Sequence, residues 1–329
     1  MTTSTIKTGI IGAAGYTGGE LLRILINHPQ AHIAFAHSKS QAGKPVAATH
    51  TDLLGDTDLA FSGEEIQDLL NDEALQVIFL CSGHGESRKF LEANQVPDAV
   101  KIIDLSTDFR DESAGFVYGL PELQRDAIRP ATKVANPGCF ATSIELALLP
   151  LAEAGLLKEA VQVSAVTGST GAGQSLSATT HFTWRNNNMS IYKAFTHQHL
   201  TEIRMTVGKL QTGFDQAINF VPYRGDFTRG IMANVYTPYE GTLEEALNLY
   251  RRYYDGHPFT HVSVPAIDLK QVVNTNKCLI HLEKHEGQLL ITSIIDNLTK
   301  GASGQAVQNM NLLFNLPEDT GLRLKAPAF

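Results

Sequence analysis

A glycine-rich turn, placed between an apolar strand and an apolar-striped helix near the start of the chain, constrains the fold more than any other feature. Thr8-Gly9-Ile10-Ile11 reads as a short buried strand, and Gly12-Ala13-Ala14-Gly15-Tyr16-Thr17-Gly18-Gly19 follows directly. Leu21, Leu22, Leu25 and Ile26 then recur at helical spacing. Glycine lets a backbone turn sharply and approach a ligand closely. The helix start beyond it offers free N–H groups and the positive end of a dipole to an anion such as a pyrophosphate. The spacing is Gly-x-x-Gly-x-x-Gly, not the usual Gly-x-Gly-x-x-Gly. The strand–turn–helix context favours a phosphate-binding turn over a plain glycine turn, which stays the alternative.

The same alternation continues downstream. Ile33 to Ala36, Val77 to Ser82 and Lys101 to Ser106 are continuous apolar runs of the kind a parallel sheet buries on both faces. Helix-favouring stretches, Gly63 to Asn71 and Glu86 to Asn94, separate them. After about residue 150 the runs lengthen and alternate: Val161 to Thr167, Gln216 to Tyr223, Ile231 to Tyr239. Cys278 to Glu283 and Gln288 to Ile295 read as a hairpin around Glu286-Gly287, and Thr242 to Asp255 as a helix. The expected fold is α/β: an N-terminal Rossmann-type doubly wound parallel sheet, then a second α+β domain with a mixed sheet. The first domain is expected over 1–147 with a returning helix in 303–329, and the second over 148–302.

The second strand ends in His37-Ser38-Lys39-Ser40. An NAD-binding domain places an acid about 20 residues beyond the turn for the ribose 2′-hydroxyl. Here a cation and two hydroxyls stand instead, which favours a 2′-phosphate and hence NADP.

Composition narrows the class. The 26 Lys+Arg against 34 Asp+Glu give a net charge of −8, which argues against a nucleic-acid binder. The richest apolar run, Leu146 to Leu157, is broken by Pro150 and Glu153, so no membrane span is expected. Met1 to Thr8 shows no charged-then-apolar leader pattern, and a cytoplasmic location is the expectation. Cys81, Cys139 and Cys278 are too widely spaced for a disulfide framework or a zinc site. No metal is expected.

Of the three cysteines, Cys139 stands apart. Asn136-Pro137-Gly138 marks a turn, and Phe140 to Leu148 is helix-forming, which puts Cys139 at the first turn of a helix. A helix start stabilises the thiolate, the nucleophilic form. Cys81 and Cys278 lie inside apolar strands and read as structural. A thiolate needs a proton-handling partner. Thr196-His197-Gln198-His199-Leu200-Thr201-Glu202 supplies two histidines that point the same way if extended, with Glu202 placed to orient His199. A zinc pair would need further ligands that are not visible.

Taken in order, several segments form a set: Asp104-Leu105-Ser106-Thr107-Asp108-Phe109-Arg110, Tyr118-Gly119-Leu120-Pro121-Glu122, Asn136-Pro137-Gly138-Cys139, Thr170-Gly171-Ala172-Gly173, His197-Gln198-His199, Arg229-Gly230, and Lys300-Gly301-Ala302-Ser303-Gly304-Gln305-Ala306. With the opening glycine turn, this set resembles the N-acetyl-gamma-glutamyl-phosphate reductases over nearly the whole chain, and more distantly aspartate-semialdehyde dehydrogenase. The resemblance implies NADPH-dependent reduction of an N-acyl-glutamyl phosphate to the semialdehyde in arginine biosynthesis, with Cys139 as nucleophile and His197 or His199 handling the proton beside Glu202. It implies that Gly12, Ala14, Gly15, Tyr16, Thr17 and Gly18 line the pyrophosphate. Ser38 and Lys39 would face the 2′-phosphate. Ser82, Gly171, Gln305 and Asn309 would complete the cofactor site, the last two near the nicotinamide. Arg110, Asn136, Arg224 and Arg229 would meet the substrate, and the enzyme would be a homodimer or homotetramer. One departure stands after Phe220-Val221-Pro222: many members carry a histidine there, whereas here Tyr223 is followed by Arg224, and the N-acyl group stays open. Alternatives are aspartate-semialdehyde dehydrogenase or a related amino-acid acyl-phosphate reductase, a non-catalytic NADPH-binding regulatory protein, and a metal-dependent hydrolase using His197 and His199.

Overall fold

Strand β1 (Ile6–Ile11) and helix α1 (Tyr16–Leu25) open a computed structural model that describes residues 5–327. The start of the polar stretch Met1 to Thr8 and the last two residues of the expected 303–329 segment lie outside the described residues. Strands β2 (Ala31–His37), β3 (Phe61–Ser62), β4 (Val77–Leu80), β5 (Lys101–Asp104), β6 (Val117–Tyr118) and β7 (Lys133–Ala135) follow, with helices α2 (Ile66–Leu70), α3 (Glu86–Ala93) and α4 (Pro121–Ile128) between them. They form a seven-stranded sheet of order β3-β2-β1-β4-β5-β7-β6, and every pairing is parallel. This is the doubly wound arrangement expected. The stretch from Gly63 to Asn71 is less regular than its composition suggested: only Ile66–Leu70 is helical, and Leu70 is its one buried residue.

The chain divides into two compact units, the first reaching Pro137 and resuming over Ala302–Arg323, the second spanning Gly138–Gly301 with the residues from Leu324 on. The second unit begins with helix α5 (Cys139–Glu153) and continues through β8 (Val161–Thr167), α6 (Phe182–Arg185), β9 (Ser190–Ile191), α7 (His199–Leu210), β10 (Ile218–Arg224), β11 (Ile231–Pro238), α8 (Leu243–Tyr253), β12 (Thr260–Ser263), β13 (Cys278–His285) and β14 (Gln288–Ile295). Its sheet, β12-β13-β14-β11-β8-β10-β9, is mixed. The β13–β14 turn falls at Glu286 (φ 45°) and Gly287 (φ 82°), the positive-φ pair that a two-residue hairpin requires.

Helix α5 organises this unit. Every residue from Phe140 to Ala152 is buried, Thr142, Ser143 and Glu145 included, because the largely apolar segment packs against β11, β14 and α7. Each of its leucines contributes roughly 1.5–3 kcal/mol by burial. The first residue of a helix so immersed is held rigidly, and that residue is Cys139. Helix α9 (Gly304–Leu313) returns to the first unit, where it packs on α1, α4 and β5.

Candidate active site

In the first unit the glycine turn has the shape its sequence implies. Gly12 has φ of +80°, and a Cβ there would lie 2.9 Å from the backbone carbon of Cys81, so no side chain fits. A Cβ on Gly18 would lie 2.6 Å from Ala13 Cα, which lets α1 press against the turn. Gly15 differs: a Cβ there would meet only Gly12 O, at 3.7 Å, so the protein's own packing does not require glycine. Gly15 is also the N-cap of α1 and provides no side-chain acceptor, and the first turn holds no acid. Ala14, Tyr16 and Thr17 complete the loop into the helix. The Thr17 carbonyl accepts from Ser303 Oγ at 2.8 Å. At the end of β2, Ser38 is buried and Lys39 exposed, opening a short 3-10 turn. Ser82, half-buried, follows the end of β4. Burial pushes the Cys81 thiol up to about 12, so it stays protonated.

A polar core ties the expected substrate side of this unit together. Arg110 donates from Nε to Asn136 O at 2.9 Å and from Nη2 to Leu105 O at 3.1 Å. Asn136 donates from Nδ2 to Ala302 O, and Asn309 Nδ2 bridges Asn136 Oδ1 (3.1 Å) and Gly119 O (2.9 Å). Gln305 and Asn309 are fully buried on α9, and Asn309 Oδ1 has no hydrogen-bond partner among the described residues.

In the second unit, Cys139 is the half-buried first residue of α5, capped by Gly138 in extended conformation. Glu202 Oε2 accepts the Gly138 N–H at 3.0 Å, and Oε1 stands 3.8 Å from His199 Nε2. His197, His199 and Glu202 are all buried. The histidines are not extended: Gln198 is helical and α7 starts at His199, with the His199 N–H donating to His197 Nδ1 at 3.2 Å. The rings still meet, their centroids 4.5 Å apart. His197 is enclosed by Phe140, Tyr192 and Phe220, with centroids 5.5, 5.7 and 5.4 Å away. That burial, with the charges of Lys193 and Arg224, lowers its pKa to about 4 and keeps the ring neutral.

The two expected arginines of this unit have different surroundings. Arg229 is bidentate on the fully buried Asp296, at 2.9 and 3.0 Å, so its charge is matched within the protein. The guanidinium of Arg224 lies 4.7 Å over the Tyr192 ring. Gly171 sits in a short turn after β8. Around it Thr170 Oγ1 donates to Thr228 O and accepts from Asn297 Nδ2, while Asn297 Oδ1 accepts the Gly230 N–H. Three motifs far apart in sequence are thereby laced together.

Residues absent from the sequence-based site also matter. Tyr192 touches both His197 and Arg224. Gly301 donates its N–H to Asp296 O, and a Cβ on it would lie 2.8 Å from Cys139 Cβ. The Lys-Gly-Ala-Ser segment was visible as a motif, but nothing local in it announces contact with the cysteine. Among the described residues no helix is long and apolar enough to cross a membrane, and no three His, Cys, Asp or Glu side chains are grouped to hold a metal.

Residues 7–131 match the family model described as the semialdehyde dehydrogenase NAD binding domain, and residues 139–297 match the semialdehyde dehydrogenase dimerisation domain. The N-acetyl-gamma-glutamyl-phosphate reductase of Bacteroides fragilis is 57% identical over 326 residues, which cover 98% of this chain and 100% of that protein. The chain belongs to the N-acetyl-gamma-glutamyl-phosphate reductase family. The reductase of Bacteroides thetaiotaomicron is 56% identical over the same shares. Among solved structures, aspartate semialdehyde dehydrogenase II of Vibrio cholerae, complexed with ASA, has a TM-score of 0.72 at 17% identity, covering 95% of this chain and 99% of that one. That likeness is one of fold. As a member of this reductase family the chain is an oxidoreductase of semialdehyde dehydrogenase type, with a domain for a nicotinamide cofactor.

Proposed function

We propose that this chain reduces an N-acyl-γ-glutamyl phosphate to its semialdehyde with NADPH, releasing phosphate, through a thioester on Cys139. Family membership supports the reaction class. The observation that carries the residue assignment is Glu202, whose carboxylate accepts the Gly138 N–H beside Cys139 and faces Nε2 of His199.

In this reading the start of α5 stabilises the Cys139 thiolate. Sγ bonds to the γ-carbonyl carbon, the bond to the phosphate oxygen breaks, and phosphate departs with the electron pair. Arg110 and Asn136 would meet anionic groups of the substrate, and Arg229, held on Asp296, braces its own loop in the second unit. Bound NADPH supplies a hydride. Backbone N–H groups at the start of α5 hold the oxyanion. The C–S bond then breaks, the pair returns to Sγ, and the semialdehyde leaves. One proton is consumed overall: His199, oriented by Glu202, hands it to the oxygen of the departing phosphate. His197 is better suited to hold His199 in place, because its Nδ1 already accepts the His199 N–H and its ring stays neutral.

The glycine turn fits the cofactor: α1 begins without a side-chain cap, and Gly15 leaves room beside it. Gly12, Ala14, Tyr16, Thr17 and Gly18 would surround the pyrophosphate. Ser38 and Lys39 favour the 2′-phosphate of NADP over the free hydroxyl of NAD, and Ser82, Gly171, Gln305 and Asn309 complete the cofactor's surroundings. A homodimer accords with the dimerisation domain.

The test is the reverse reaction. N-acetylglutamate semialdehyde, phosphate and NADP should form NADPH, more slowly with NAD, and the Cys139→Ser variant should form none. Wild-type turnover in that variant would exclude the thioester route.

A further inference from the structure

In the unit that carries Cys139, Arg224 has unusual surroundings. Arg229 is matched by Asp296. Arg185 donates through Nη1 to Asn188 O and Arg224 O, and through Nη2 to Thr179 O and Ser190 Oγ, so its terminal nitrogens are committed to bracing the loop before β9. Arg224 has no carboxylate partner among the described residues, and its buried Nε has no hydrogen-bond partner there. Its guanidinium lies 4.7 Å from the centre of the Tyr192 ring and hydrogen-bonds the Tyr192 hydroxyl, and Tyr192 in turn packs on His197 at 5.7 Å. A buried N–H left without an acceptor costs about 1–3 kcal/mol, more for a charged group. Burial, and then the charge of Arg224, lower the pKa of Arg185. The charges close by are few: Lys193 holds Gln198, and Asp226 accepts the Asn187 N–H.

We propose that Arg224, held over Tyr192, is the receptor for a carboxylate of the substrate. The contact with Tyr192 restrains the guanidinium, whose planar N–H fork matches a planar carboxylate. The guanidinium lies one aromatic ring from the histidines. That placement suits a group separated from the reacting carbonyl by the methylenes of the glutamyl chain, rather than the departing phosphate. Two carboxylates could fill it: the glutamyl α-carboxylate, or one borne by the N-acyl group. The inference rests on the reductase reading, but the carboxylate site can be tested without turnover.

The experiment compares wild type with Arg224→Met and Arg224→Lys in the reverse reaction. N-acetyl- and N-succinyl-glutamate semialdehydes are the two substrates, and phosphate is varied separately. Arg224→Met should raise the KM for semialdehyde on the order of 10- to 100-fold, the value of a charge-assisted hydrogen-bond pair, with the KM for phosphate little changed and Arg224→Lys intermediate. Equal loss on both semialdehydes identifies the α-carboxylate; loss confined to the succinyl compound identifies the acyl carboxylate. A KM for semialdehyde that does not move, or a rise in the KM for phosphate instead, overturns the proposal. Calorimetric binding of N-acetyl- and N-succinyl-glutamate to the same proteins provides the second readout. If wild type turns over neither semialdehyde, the reductase reading fails, yet loss of binding in Arg224→Met still supports the carboxylate site and retained binding refutes it.

Discussion

Glu202 accepts the backbone N–H of Gly138 through Oε2 at 3.0 Å, and this bond fixes the residue that precedes the nucleophile. Its other oxygen faces His199 at 3.8 Å. The two roles separate by substitution. Glu202→Gln keeps an acceptor for Gly138 but removes the charge beside His199, so kcat should fall while stability changes little. Glu202→Ala also strands the buried N–H and should cost about 1–3 kcal/mol of stability in addition. Denaturant midpoints measured beside kcat check this. Equal stability of the two variants would remove the bond from the account.

Gly301 presses on Cys139 so closely that a Cβ would come within 2.8 Å of the cysteine's own Cβ and 3.2 Å of its Cα. One of the two segments must shift in Gly301→Ala. A misplacement of about 1 Å can cost on the order of 100-fold in rate. The expected result is a folded protein that still binds NADP but has lost most of its turnover. Full activity would mean that the site tolerates a displaced Cys139.

The three thiols should differ in reactivity. The Cys278 side chain lies in the core, and burial holds the Cys81 thiol at about 12. Cys139 is half-buried as Cys81 is, but it stands at a helix start. Iodoacetamide at neutral pH should therefore modify Cys139 first and inactivate the enzyme in step, as peptide mapping would register. Cys81 labelling at the same rate would contradict the assignment.

Much of this was legible in the chain because it is local. The strand–glycine–helix unit, the Glu286-Gly287 hairpin and Cys139 at the head of α5 each depend on neighbours in sequence. The interlocked order of β6 and β7 does not, and neither does the approach of Gly301 to Cys139. Tyr192 gave no signal, since an isolated tyrosine in a polar loop resembles any other. The histidines were expected to share a face through an extended backbone. They meet instead across a helix start, where His197 Nδ1 accepts the His199 N–H. That difference is what separates their roles.

His197 also sets a pH dependence of stability. Its pKa falls from an ordinary 6.5 to about 4 in the folded protein, chiefly by burial. The unfolded chain takes up this proton first, so the neutral ring contributes fully above about 6.5, and stability is lost as pH falls from there towards 4. The slope is about 1.4 kcal/mol per pH unit over that window, a few kcal/mol at most. His28, His37 and His261 are lowered too and add slopes of the same sign. His197→Asn keeps an acceptor for the His199 N–H and should flatten the acid limb by about one proton. Urea midpoints between pH 4 and 7 would show it, and unchanged slopes would mean that this ring is not held neutral.

The thioester is the centre of the account, and it can be caught by omitting phosphate. Wild-type enzyme mixed with NADP and its semialdehyde should give a burst of about one NADPH per active site and then stop. Peptide mass spectrometry should find the acyl group on Cys139, and added phosphate should release it and restart turnover. Steady NADPH formation without phosphate, or a burst with no acyl mass on Cys139, would contradict a covalent route through this cysteine.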